Sequence, residues 1–448
     1  MFAEVPMRFA ILACTVCGIL ACSANAAFWD VELVYDGGLG AGDCSLALDG
    51  IGVPHISYTE DGALYYASKT IGGWSAERVT DVGYWGGLSC LAFDCSGFPC
   101  IAFVNSNDPA TNYLCFARKT TMWSVEVVAD VGWLADHVSL AISPHGQACI
   151  AFCRTIGSNA VLSFARRLSQ GQWSIEDIAS VGSVTGPCLS FTASGEPIVA
   201  FVDSDSGALK VARASGSAWT VTTVDGDLTN FAVPYPSFAT DSAGFPEIAY
   251  FLSTSSSSVL RLAKYVEYSW QKETVASFGS PVYCAHVAAG TASSGIRVVC
   301  FQSPESCNLK AAWQIGSRWI CEDIDSAPVT GLRPMIRCNN SGEIYLCYFD
   351  GFEFNVKFAR ALAPLSIHQA KSKPDGALVH MDDVVASTGS SDFSNTIYVQ
   401  SQDRTCGLKL QFTSSTPTIS SGQILQVQGE LCTTDGERVL IDPIVGLR

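Results

Sequence analysis

The side chains that could do chemistry in this chain are few and scattered. Six histidines occur, His55, His137, His145, His286, His368 and His380, and none stands at a His-x-x-x-His or similar metal-binding spacing. His55 and His286 fall within strand-like segments, where a structural histidine with both nitrogens satisfied is expected. No Gly-x-Ser-x-Gly elbow, phosphate-binding loop or dinucleotide fingerprint is present, so the sequence assigns no catalytic residue, no metal ligand and no cofactor. What remains is a set of loop residues. Asp108, Asp203, Asp205 and Asp350, with Glu60, Asp61, Glu305 and Glu353 beside them, fall in one class of loop, and Tyr84, Trp85 and Trp133 in another. Aromatic faces next to carboxylates suit sugars, because rings stack on CH groups while carboxylates accept hydroxyl hydrogens. Three other readings stay open: the aromatics pack loops, the carboxylates hold Ca²⁺ without a compact calcium-loop motif, or two carboxylates form an acid–base pair that cleaves carbohydrate.

The elements that must position these residues come from a repeat. A glycine followed six positions later by an aromatic residue recurs seven times: Gly52/Tyr58, Gly97/Phe103, Gly146/Phe152, Gly195/Phe201, Gly244/Tyr250, Gly295/Phe301 and Gly342/Tyr348. The spacing near fifty residues, with strand-like composition, predicts a repeat architecture. Each unit holds four strand candidates, in the second unit Leu88–Phe93, Cys100–Val104, Tyr113–Arg118 and Trp123–Val128. The fourth opens on tryptophan, with Glu three residues on in Trp74/Glu77, Trp123/Glu126, Trp173/Glu176, Trp270/Glu273 and Trp319/Glu322. The third ends on alanine followed by a basic residue in five units, which predicts a cross-strand ion pair in each unit. The seventh unit stops at Phe358-Ala359-Arg360 without its tryptophan strand, and Trp29–Val34 supplies the missing one from the other end of the repeat region. The expected fold is all-β: a seven-bladed β-propeller over 28–362, closed by the N-terminal strand, with Glu32 beside Arg360.

The composition narrows the partners. The net charge is −16 with a pI near 4.7, which argues against electrostatic nucleic-acid binding. Residues 1–26 read as a secretory signal: Arg8, an apolar run from Phe9 to Ala21, then Ala24-Asn25-Ala26. A lipoprotein site at Cys22 is the alternative. Its removal would leave no membrane span and would place the protein in a secreted, periplasmic or cell-surface location. The nineteen cysteines mostly occupy positions where other repeat copies have small or aliphatic residues, as Cys300 and Cys347 do, which favours buried thiols. Cys406 and Cys432 stand apart from the rest and are the expected bridge.

Residues 365–448 have a different rhythm, with strand candidates Leu378–Ala386, Thr396–Ser401, Gly407–Phe412, Ile424–Leu431 and Arg438–Ile441. The runs Ile367-His368-Gln369-Ala370-Lys371, Pro374-Asp375-Gly376, Ile397-Tyr398-Val399-Gln400 and Asp435-Gly436-Glu437-Arg438-Val439 resemble bacterial extracellular OB-fold domains. That resemblance implies a small five-stranded barrel. The run Asp-x-x-Gly-x-Pro-x-Ile-Ala-aromatic, at Asp94–Phe103 and Asp241–Tyr250, resembles bacterial secreted propellers of the fucose-lectin-like and sialidase-like kind. The sialidase Ser-x-Asp-x-Gly-x-x-Trp boxes are not matched, and no arginine triad can be assigned.

The sequence thus leads to an exported, non-enzymatic binding or scaffold protein, with a glycan or a cell-surface protein as partner at the propeller rim. A carbohydrate-active hydrolase or lyase using rim carboxylates is the alternative, and a purely structural surface component is another. The oligomeric state is not readable.

Overall fold

A computed structural model gives the structure of residues 29–37, 42–83, 88–108, 110–132, 137–157, 159–181, 184–216, 218–226, 233–241, 244–267, 269–282, 284–292, 295–315, 317–339, 342–413 and 416–447. The expected signal segment lies outside them, as do Tyr84, Trp85 and Trp133.

Seven antiparallel sheets form the blades. Blade 2 is typical: Ser89–Phe93 is its inner strand, followed outward by Pro99–Asn105, Asn112–Lys119 and Trp123–Gly132. The repeat glycine ends the first turn. Gly97 has φ +78°, which only glycine adopts without strain, and its N–H donates to the carbonyl of Asp94 at 2.9 Å. The repeat aromatics are all sealed between neighbouring blades, each at most 1% exposed. In six blades the pairing of the third and fourth strands slips at the same leucine: Leu64, Leu114, Leu162, Leu209, Leu260 and Leu309. Such a bulge adds the local twist that lets a blade fan outward. Blade 7 has the order Asp30–Tyr35, Asn355–Leu362, Glu343–Asp350, Leu332–Cys338, so the N-terminal strand does close the ring.

The ion pairs of the repeat run between blades, and this corrects the expected pairing. Glu32 pairs with Lys69 of blade 1, and Arg360 lies 3.9 Å from Glu343 instead. Glu77 takes Lys119 at 2.5 Å and the Trp123 indole N–H at 2.9 Å. Glu126 takes Arg167 at 2.6 Å and the Trp173 indole N–H at 3.3 Å, and Glu176 takes the Trp219 indole N–H at 3.0 Å. The basic partner is the second residue after the alanine, not the first. Neighbouring residues of a strand point to opposite faces, so Arg118 turns back to Asp94 of its own blade at 2.6 Å while Lys119 reaches the preceding blade. Blade 5 does form the expected pair within one sheet, Lys264–Glu273 at 2.8 Å.

The inner strands are stitched by small polar side chains. In blades 1, 2, 3 and 5 the side chain seven positions before the repeat glycine bonds the next blade's inner backbone, while blades 6 and 7 have Ala288 and Met335 there. Ser45 Oγ accepts from Leu91 N–H at 3.0 Å, Ser139 Oγ from Leu189 N–H at 2.9 Å, and Ser237 Oγ from Ala289 N–H at 3.0 Å. Cys90 occupies this place in blade 2, where its thiol donates to the Leu140 carbonyl at 3.7 Å.

Residues 365–447 form a separate closed barrel. Its strand order is Leu378–Ala386, Thr396–Gln400, Gly407–Gln411, Glu437–Leu447, Ile424–Thr434, with a parallel pair at Lys409↔Val439. A one-turn helix, Ile367–Lys371, precedes it and is capped by Ser366. Val379, Met381, Ile397, Leu410, Leu425 and Leu440 fill the interior. Cys406 and Cys432 are free thiols, contrary to expectation. Cys432 pairs across to Val439, and the strand Glu437–Leu447 stands between it and the strand that Cys406 precedes.

Candidate functional site

The inner strands all begin at one end of the channel, and the residue nine positions before each repeat glycine marks that mouth. Around the ring this position holds Asp43, Leu88, His137, Gly186, Tyr235, His286 and Arg333. Five of the seven carry a reactive or ionisable group, and they meet only because the ring closes.

Tyr235 is fixed first. The short strand Val233–Tyr235 runs parallel to the inner strand of blade 6, with Tyr235 opposite His286. The two rings stack at 4.9 Å between centroids with 7° between planes. On the other side His137 lies 5.5 Å from Tyr235 at 50°. His137 precedes the inner strand of blade 3 and Tyr235 that of blade 5, and blade 4 has glycine at the equivalent position. Arg333 follows on blade 7, and its Nη1 is 3.4 Å from Asp43 Oδ1. Asp43 is buried, and its Oδ2 accepts the Ser89 N–H at 2.7 Å. The five groups thus form an arc: His137, Tyr235, His286, Arg333, Asp43.

Burial sets the charge state of the arc. His286 is only 9% exposed, and desolvation, then the Arg333 charge, then His137 push its pKa down to about 3. Burial and Arg333 bring His137 to about 3 as well. Both are neutral imidazoles at physiological pH, and each has a buried Nδ1 without a hydrogen-bond partner. Burial raises the Asp43 carboxyl, against the pull of Arg333 and the Ser89 N–H. Arg333 has φ +49°, and Val329, also in the loop before it, has φ +59°, a strained geometry for a β-branched residue. Thr330 pins this loop: its Oγ1 donates to Asp325 and Ala327 carbonyls at 3.1 and 2.9 Å, and its own carbonyl accepts from Gln302 at 3.0 Å. Four residues deeper on the same strand, Arg337 replaces the Ala, Ser or Gly of every other blade. Its Nη1 donates to the Ile336 carbonyl at 2.7 Å, and its charge bears on the buried Cys90 and Cys188 thiols of blades 2 and 4.

Of the carboxylates expected to serve as rim ligands, Asp203 and Asp350 are paired with lysines of their own blades. Asp203 is buried, and burial alone would raise its pKa, but Lys210 at 2.6 Å and the Ser206 hydroxyl at 2.7 Å hold it low. Asp350 is fully buried on Lys357 at 2.7 Å and accepts the Phe352 and Glu353 N–H groups at 3.0 and 3.1 Å. Lys357 also holds Asp325 at 2.9 Å. Asp225 collects the Tyr250 hydroxyl at 2.8 Å, Arg261 at 2.9 Å and Lys272 at 3.2 Å. Asp205 is exposed, and its N–H donates to Asp203. Asp108 caps its own turn by accepting the Ala110 N–H at 2.8 Å. His55 is the satisfied structural histidine that was expected, bonded to the Tyr66 hydroxyl at 2.7 Å and near Asp49 at 3.5 Å. His286 is not.

No family model matches the chain, and no curated protein does. Solved structures do resemble it. Virginiamycin B lyase from Staphylococcus aureus, a catalytically inactive histidine-to-alanine variant with quinupristin, shares 12% identity at a TM-score of 0.50, over 75% of this chain and 100% of that one. An α-L-arabinanase from Penicillium chrysogenum shares 10% at 0.43, over 76% of this chain and 99% of that one, and the Hadza microbial sialidase Hz136 shares 13% at 0.44, over 69% and 73%. The expectation of a non-enzymatic binding or scaffold protein is not kept, since the neighbour at a TM-score of 0.50 is a lyase. The likeness establishes the fold, and any activity must come from this chain's own residues.

Proposed function

We propose that this chain is a carbohydrate-active enzyme of the eliminating kind, a lyase that works at the channel mouth. One observation carries the reading: two neutral imidazoles, each with an unpartnered buried Nδ1, flank the ring of Tyr235 beside a guanidinium. A β-elimination needs those parts. A neutral imidazole takes the proton on the carbon next to a carbonyl or carboxyl group. The C–H electrons form the new C=C bond, the C–O bond to the leaving sugar breaks, and the Tyr235 hydroxyl returns a proton to that oxygen. Arg333 offsets the negative charge that gathers on the enolate. Hydrolysis needs a protonated carboxylic acid facing a second carboxylate, and Asp203, Asp225 and Asp325 are held ionised by their lysine, arginine, hydroxyl or backbone partners. The carbohydrate class is supported by Trp133, four residues ahead of His137 in the sequence, and by Tyr84 and Trp85, which precede the inner strand of blade 2. Export through the expected signal would let the enzyme meet a polymer outside the cell.

The test is a panel of acidic, esterified and neutral polysaccharides, assayed for the ultraviolet absorbance of a new C=C bond. Turnover is expected on a member of the panel, and His286→Phe and Tyr235→Phe should each lower kcat about 100-fold or more, as for loss of a general acid or base. New reducing ends without absorbance would show hydrolysis and overturn the proposal.

A further inference from the structure

The channel is basic inside an acidic protein. The chain carries −16 overall, yet Arg333 and Arg337 project from one strand into the ring, where the equivalent positions on the other blades are mostly small or uncharged. Arg337 has no carboxylate partner among the described residues, and Arg333 faces one, Asp43, which is itself hydrogen-bonded to blade 2. Asp43 is the more buried of that pair, with 6% side-chain exposure against 26% for Arg333, so the guanidinium is the group a ligand can reach. The loop that delivers it is rigid. Gly331 sits at φ +83°, and a Cβ there would lie 3.2 Å or less from Leu309, backbone Cα included. Strain held in place by packing beside two unpartnered imidazoles marks a built site.

We propose that the sugar read at the channel mouth is a uronate, its carboxylate bound by Arg333. This rests on the channel mouth being the site described above and adds the substrate class. A planar carboxylate matches the guanidinium fork. It would also place the ring carbon next to that carboxylate within the arc that holds His286 and His137. Burial is the larger cause of the low imidazole pKa values, and a bound carboxylate would offset only the smaller part that comes from Arg333. Arg337, about 13 Å deeper at the rise of an extended strand, adds positive potential along the axis.

The experiment measures binding of D-glucuronate and D-galacturonate, with glucose and galactose as neutral controls, to the full chain by calorimetry and by the His286 ring resonances. Uronates should bind with an affinity that falls as salt rises, and the neutral sugars should bind at least tenfold more weakly. Arg333→Gln should cost tenfold or more in uronate affinity, and Arg333→Lys should recover part of it. Gly331→Ala, which keeps the arginine but displaces its loop, should weaken binding as well, and the circular dichroism of each variant checks its fold. Equal affinity for neutral sugars, or uronate binding untouched by Arg333→Gln, would overturn the proposal. Arg333-dependent uronate binding without any elimination would sink the lyase reading and leave this one standing. Elimination on a neutral ester, indifferent to Arg333→Gln, would do the reverse.

Discussion

Replacing His137 and His286 together by phenylalanine keeps the ring stack on Tyr235 and removes two protonation sites. The effect on stability follows from linkage. Both imidazoles have folded-state pKa values near 3, against 6.5 for the ordinary group. Their neutral form is what the fold accepts, so their contribution is fully present above pH 6.5 and is lost as the pH falls and the unfolded chain takes up protons the folded chain refuses. At pH 5 a histidine of this kind costs about 2 kcal/mol relative to pH 7, from RT times the logarithm of the unfolded-state protonation ratio. His137 is partly exposed on the channel side and contributes less, so the pair amounts to about 3 kcal/mol. Burial lowers the pKa of His55 in the same direction, but His55 is unchanged in the variant and cancels in the comparison. Raised carboxyls such as Asp43 and Glu247 work the opposite way below about pH 5, and they cancel too. Urea unfolding at pH 7, 6 and 5, followed by tryptophan fluorescence, should show the wild type losing about 3 kcal/mol more than the variant between pH 7 and 5. Parallel loss in the two proteins would refute the claim that these imidazoles are held neutral, and with it their assignment as bases.

Other perturbations test the frame that holds the site. Glu126→Ala removes the acceptor shared by Arg167 and Trp173 between blades 2 and 3, and should cost about 2–4 kcal/mol in denaturant unfolding; a loss below about 0.5 kcal/mol would mean the pair is an exposed one of little value. Ser139→Ala leaves the Leu189 N–H unpaired and should cost about 1–2 kcal/mol, while Ser139→Cys, which copies blades 2 and 4, should cost less; the reverse ranking would count against the stitch. Thiol labelling without reductant should modify Cys95 and Cys321 first, since they are exposed, and should find Cys406 and Cys432 as free thiols; recovery of a Cys406–Cys432 bridged peptide by mass spectrometry would contradict the structure.

Most of the fold was legible because the repeat is local. A glycine turn, a proline that opens a strand and a buried aromatic are read within ten residues, and the orphan strand at Trp29 announced the closure. The barrel strands were legible for the same reason: alternation and turn residues marked all five, and two were cut short, Ile424–Leu431 against the observed Ile424–Thr434 and the last, Arg438–Ile441, against Glu437–Leu447. Its Pro443 hid the continuation. The ion pairs were misread by one residue, and in a strand one residue is the difference between two faces. Lys119 and Arg118 are adjacent in sequence yet answer to different blades. The site was missed because its members are separated by about fifty to a hundred residues and no local motif joins them. A signal did exist. At nine residues before the repeat glycine the copies share nothing, reading Asp, Leu, His, Gly, Tyr, His and Arg, while the positions on either side of the turn agree closely.

That contrast favours the inner strands as the place for the proposed site. A propeller offers seven equivalent places at its mouth, each held by sheet hydrogen bonds and by stitches to the next blade, so a side chain placed there is fixed on a rigid element. Among the expected rim carboxylates, Asp203 and Asp350 already hold Lys210 and Lys357. In blade 1 the mouth residue Asp43 accepts the Ser89 N–H and pairs with Arg333. Around the ring the position varies, and in this chain it holds two imidazoles, a phenol, a carboxylate and a guanidinium.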